Sequence, residues 1–170
     1  MVPIRFYKIG LIGGLISGIG TALFFYFTFL SGLIPPVVRF FDFWIPAVVI
    51  FFHLLLIKSF REKTEPFHFW EALILGNFMC WTGGLVSGLL IWQVSNLDPI
   101  PFHNFLESSI KYLKITESNA PENMKMKNLN LVIDEIKNTP TSFMVWDEVK
   151  KKVMYSFILV PLLSMIIRRK

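Results

Sequence analysis

From Pro66 to Ser95 the chain reads PFHFWEALILGNFMCWTGGLVSGLLIWQVS, roughly 27 mostly apolar residues after the proline, interrupted mainly by Glu71 and Asn77. At about 1.5 Å of rise per residue, a helix of that length crosses the roughly 30 Å hydrocarbon core of a bilayer. Small side chains recur at every fourth position, Gly76, Cys80, Gly84 and Gly88, with Gly83 and Ser87 beside them. Positions four apart share one helix face, so this stripe lets a second helix approach almost to backbone contact.

The other 140 residues look built for the same solvent. Hydrophobic residues make up 54% of the chain, above the usual share for soluble domains, so one small membrane domain is expected over residues 1–170. The net charge of +5 does not signal nucleic acid, because the basic residues gather at the ends of apolar runs instead of forming a stripe among exposed aromatics. Cys80 is the single cysteine, which excludes an intrachain disulfide and a cysteine metal cage.

Arg5 and Lys8 precede an apolar stretch that outlasts a signal-peptide core and has no small-residue cleavage site after it, so it reads as a retained first span, about residues 9–33. It carries Gly10, Gly14, Gly18 and Ala22 at spacings of four, and the two small-residue stripes are expected to pack together, Gly10, Gly14 and Gly18 against Gly76, Cys80 and Gly84. Gly32, Pro35 and Pro36 mark a turn. A second span follows at about 40–57, with aromatics at one end, Lys58 and Arg61 at the other, and Pro46 in its first turns. His53 should sit near the membrane surface as an interfacial histidine. The short connector from Lys58 to Glu65 makes the second and third spans antiparallel neighbours. Pro66 suits the first turn of the third span, about 67–95, and Glu71 falls where the helix dipole favours a carboxylate. His53, Glu71 and Asn77 are the candidate polar site, the first two at one depth.

The run FHFWEALILGNF, with Leu97-Asp98-Pro99 after the span, resembles an uncharacterised family of small four-span bacterial inner-membrane proteins, a domain of unknown function found mainly in Bacteroidota. The resemblance implies an architecture: a glycine-bearing first span, a basic second connector, a long extramembrane segment, and a last span ending in Arg168, Arg169 and Lys170. It implies no catalytic residue.

Residues 96–152 form the polar part. Phe102, Phe105, Leu106, Ile110 and Leu113 fall at helical spacing, as do Leu129, Val132, Ile133 and Ile136, with a loop between them from Thr116 to Asn128. Pro140 should open one last helix, wet at first and membrane-embedded at about 153–167, kinked at Pro161. That stretch is short for a span, so Lys150, Lys151 and Lys152 are expected to snorkel or the bilayer to thin. The expected fold is an all-α integral membrane protein of four transmembrane helices with a small extramembrane helical segment between the third and fourth. The excess of Lys and Arg on one side places both termini in the cytoplasm, and the resemblance implies that the membrane is a bacterial inner membrane.

No phosphate-cradling loop, HExxH or paired carboxylates stand out, and His53, His68 and His103 share no ligand spacing. No catalytic residue, metal or cofactor is therefore expected, and the chain is read as no enzyme. A scaffold or accessory subunit with the bilayer around it, and with a protein partner or second copy held through residues 102–138, is the leading reading. The alternative is a small transporter or channel subunit, against which stands the expected lack of a midplane acid or base.

Overall fold

The computed structural model describes residues 4–32, 35–60, 67–122, 126 and 128–167, the side chains of 4, 5 and 35–41 excepted. Arg61, Pro66, part of the expected loop between Thr116 and Asn128, and the basic tail Arg168–Lys170 lie outside the described residues. Six helices follow in order: α1 Ile4–Leu30, α2 Pro35–Ser59, α3 Phe69–Leu97, α4 Ile100–Ser118, α5 Leu129–Lys137 and α6 Phe143–Ile167. The described residues contain no strand. Three of the helices, over Phe6–Leu30, Asp42–Ser59 and Phe69–Leu97, are long and apolar enough to cross a membrane.

The chain reverses after α1 at Ser31 and Gly32, and Gly32 takes φ +69, a left-handed conformation that costs glycine little. Pro35 and Pro36, expected within the turn, instead begin α2, where a first-turn proline sacrifices no helical hydrogen bond. Because α2 starts so early, Pro46 lies in its interior rather than its first turns. At the other end of the bundle, Glu71 caps α3: the backbone N–H of His68 donates to its Oε2 at 3.1 Å.

Glycines set how the long helices pack. Gly14 lies against Thr82, and Gly18 against Val86 and the Gly83 carbonyl, so α1 and α3 run parallel. Gly76 meets Val160, Gly84 meets Lys152 and Gly88 meets the Val145 backbone, so α6 runs antiparallel along a different face of α3. The expected partnership of the two stripes is thus corrected. The α1 glycines Gly10, Gly14 and Gly18 face Phe78, Thr82, Gly83 and Val86, while Gly76, Gly84 and Gly88 serve α6. Successive residues on a helix point about 100° apart, so neighbours Gly83 and Gly84 address different helices. Cys80 is buried with Met79, Leu75, Leu159 and Val160 in the apolar core. On α1's other side, Gly13 packs on His53 and Gly20 on Ile45, making α2 antiparallel to α1.

The bundle distributes polarity the opposite way from a soluble protein. Ser17, Thr21, Asp42, Ser87, Glu148 and Lys152 are buried, while Phe27, Phe52, Trp70, Trp81 and Phe157 are exposed. Contiguous large apolar surface of that kind needs a partner or lipid.

α4 and α5 close one end. Phe102 and Leu106 of α4 are buried against Phe25, Phe29, Ile91 and Met144, with Phe105 and Ile136 packed at the edge. The Asn104 side-chain amide donates to the Phe29 carbonyl at 2.9 Å, adding to the longer 3.4 Å bond that this last-turn carbonyl accepts from the Gly32 N–H. Residues 102–118 and 129–137 are therefore helices, and Ile133 is the buried residue of α5.

Candidate functional site: a buried ion cluster

The site begins with a proline. Pro46 has no N–H, so the carbonyl of Asp42, four residues earlier in α2, loses the partner a regular helix would supply. That carbonyl accepts from Lys152 Nζ of α6 at 3.1 Å, and the same ammonium donates to Asp42 Oδ1 at 2.6 Å. Lys152 is fully buried and the Asp42 side chain is 8% exposed, so this pair is held out of solvent.

Lys152 reaches this position because α3 leaves room. Its Cβ and Cγ lie over Gly84, each 3.0 Å from where a Cβ on that residue would stand. Gly84 is near the midpoint of α3, so the lysine stem enters the bundle at mid-helix. Of the two expected outcomes, snorkelling by all three lysines or a thinned bilayer, the first is corrected: Lys150 is exposed, Lys151 half-buried and Lys152 turned inward. Acids and a base buried at the level of mid-α3 were not anticipated from the sequence. One turn back on α6, Glu148 is also buried, its Oε2 3.8 Å from Lys152 Nζ and its Oε1 2.9 Å from Lys151 Nζ. Lys151 in turn holds Asp147 at 2.6 Å, on the more exposed flank. The Ser87 hydroxyl of α3 lies 3.3 Å from Glu148 Oε2 and 3.1 Å from the Gly84 carbonyl, able to donate to one at a time.

Each buried charge thus touches an opposite one, Asp42 and Glu148 sharing Lys152, and without such contact burial would be prohibitive. Three helices are tied by it: α2 through Asp42, α3 through Ser87, α6 through the rest. Beside it the Phe43 and Tyr155 rings meet edge to face at 5.2 Å, a second link from α2 to α6.

The residues anticipated as a polar site are placed apart. His53 bonds the Val49 carbonyl of its own helix at 2.8 Å and packs on Gly13, which also touches Met79. That puts it level with Met79, about two helical turns deeper than Glu71, so the expected shared depth with Glu71 is corrected. Asn77 donates to the Leu73 carbonyl at 2.8 Å and lines a shallow surface recess with Tyr7, Phe78 and Trp81. Among the described residues no group of three His, Cys, Asp or Glu could hold a metal ion.

Asp42 and Glu148 escaped the sequence reading, which took Lys152 only as a residue at the membrane edge, yet a signal was present. Asp42 stands inside an apolar run with a proline four residues on, and a buried cation elsewhere is what such a residue requires.

A helical bundle with apolar outer faces, three helices able to enter a bilayer, and paired charges inside is the class these observations define. The chain belongs to DUF4199, a family of proteins of unknown function, whose model matches residues 8–169. No curated protein and no solved structure matches it.

Proposed function

We propose that the chain is a four-span protein of a bacterial inner membrane, both termini cytoplasmic, acting as a scaffold or accessory subunit through protein contacts and carrying no catalysis of its own. The observation that carries this reading is how the interior is occupied. A transport path lined by His53 and Asn77 would need room between them, whereas the His53 ring lies against Gly13 beside the fully buried Met79, and Asn77 turns to the outside. The charges at Lys152 are bonded to one another and to a carbonyl, leaving the bundle a fixed body.

The fourth crossing is assigned to α6. It has 25 residues, and Met154, Phe157, Ile158, Leu162, Met165 and Ile166 face outward where lipid would cover them. Since Lys152 points inward, the apolar stretch extends further toward the start of α6 than a count of strictly apolar positions allows. The cap is the surface assigned to a partner or second copy, with α5 holding Leu131 outward.

Purification of the full chain in mild detergent tests the reading. A stoichiometric co-purifying protein, released when Leu131 is replaced by Asp, is the expected result. A lone chain or homo-oligomer that moves ions or solutes in vesicles would replace the scaffold by the transporter alternative.

A further inference from the structure

The ion cluster contains more acid than base. Among the described side chains, Asp42, Asp147 and Glu148 supply three carboxylates, and Lys151 and Lys152 two ammonium groups. Lys151 is divided between Asp147 and Glu148, and Lys152 between Asp42 and Glu148. No other described charge comes near to balance the set. α1 has no titratable residue between Lys8 and Tyr26. α3 offers the Ser87 hydroxyl and the Cys80 thiol, α6 adds Tyr155 beside Lys152, α2 has no titratable residue from Phe43 to Phe52, and His103 and Glu107 of α4 are exposed. Among the described side chains one carboxylate is thus in excess, which is costly in a bundle surrounded by apolar side chains, and the smallest ligand that removes the excess is a proton.

We propose that the carboxylates of Asp42 and Glu148, on either side of Lys152, form a proton-binding site that takes up one exchangeable proton. The geometry supplies an entrance. The side chains of Asp147 and Lys151 are 27% and 20% exposed, and from them a continuous series of polar contacts leads inward: Asp147 to Lys151 at 2.6 Å, Lys151 to Glu148 at 2.9 Å, Glu148 to Lys152 at 3.8 Å, Lys152 to Asp42 at 2.6 Å. Glu148 joins the two lysines with its two oxygens, so a proton arriving at one oxygen is within reach of the inner pair at the other. In the opposite direction the series stops at the apolar core of Ile50, Met79, Cys80 and Val160. Among the described side chains the series is thus open at one end, as a site that binds and releases a proton requires. On uptake the proton forms an O–H bond on one carboxylate, and Lys152 remains an ammonium ion shared with the other. The two acids titrate as a pair rather than as independent groups.

This site stands whether or not the cap has a protein partner, and it is read by a different measurement. Infrared difference spectra of the full-length protein in detergent, between mildly alkaline and mildly acidic buffer, should show a neutral-carboxyl stretch equivalent to one proton per chain. Asp42→Asn and Glu148→Gln each leave one inner carboxylate for one inner ammonium, so each should abolish that band. Asp134→Asn, at an exposed position of α5, should retain it. The proposal is overturned if the wild-type protein shows no such band, a measurement that requires no variant to fold, or if the band persists unchanged in both inner variants.

Discussion

Lys152 and Asp42 are separated by 110 positions in the chain, yet the lysine Nζ lies 2.6 Å from one carboxylate oxygen and 3.1 Å from the main-chain oxygen of the same aspartate. One residue therefore offers both a charge and a freed carbonyl to a single ammonium. Removing the ammonium leaves two carboxylates facing each other in a buried space. Lys152→Met should destabilise the bundle by about 3–5 kcal/mol, and combining it with Asp42→Asn should recover part of that loss. Thermal unfolding in detergent, compared across the double-mutant cycle, measures the coupling. Additivity of the two changes would show that the pair is not a unit.

Pro46→Ala gives α2 back the N–H that the Asp42 carbonyl lacks. In the wild-type background the restored helical bond competes with Lys152 Nζ, so the gain should be small. With Lys152→Met the carbonyl has lost its other donor, and the same proline change should stabilise by about 1 kcal/mol more, the usual worth of one hydrogen bond. The quantity to compare is the effect of Pro46→Ala in the two backgrounds.

The two glycine faces of α3 should respond separately. Gly14→Leu drives a side chain into Thr82 and parts α1 from α3, while Gly84→Leu collides with Lys152 and parts α6 from α3. Each should cost on the order of 1–3 kcal/mol. Gly20→Ala, whose nearest neighbour is Ile45 Cγ2 at 3.4 Å, should be tolerated. Gly32→Ala meets open space but a φ of +69, and should cost about 1 kcal/mol through backbone strain alone. Midpoints of thermal unfolding rank the four.

The cap is held by few groups, which makes it a sensitive place to probe. Asn104→Ala removes the shorter of the two bonds to the Phe29 carbonyl and should cost about 1 kcal/mol. Phe105→Asp places a charge among the rings of Phe25 and Phe29, whose centroids lie 5.8 and 5.2 Å from that of Phe105. It should open α4 to protease while the long helices stay resistant. Equal cleavage in the wild-type protein would show that α4 is not docked.

Orientation is testable with thiol chemistry. In spheroplasts a cysteine placed at Asn119 should react with a membrane-impermeant reagent and one at Lys63 should not, while the native Cys80, 1% exposed, stays silent. The opposite pattern would reverse the assignment of sides.

Much of the architecture was legible because membrane helices announce themselves by length and by small residues at spacings of four. The α1 and α3 stripes were visible in this way, and so was the helical period of α4 and α5. What could not be read was which neighbour each stripe meets. Gly83 and Gly84 are adjacent letters, and only the packed helices reveal that one faces α1 and the other α6. The same limit hid the ion cluster. Lys150, Lys151 and Lys152 are alike in hydropathy, yet on a helix they point in three directions, and the direction of Lys152 has meaning only once Asp42 of another helix is opposite it. His53 was misplaced for a related reason: its distance from Lys58 was counted along one helix, whereas its depth is set by Gly13 and Met79.

The long sequence separation of Asp42 and Lys152 bears on how the chain is made. Synthesis runs from the N-terminus, so α2 emerges with its aspartate well before the lysine of α6 exists. Until then the acid must be neutralised by a proton or wait in a wetter place, and α2 has only its apolar contacts to hold it beside α3. Arrival of the final helix supplies the missing cation and locks the earlier ones together. A nascent chain stopped short of Lys152 should accordingly remain a loosely associated set of helices and a target for membrane quality control, while a chain released a few turns later should escape it.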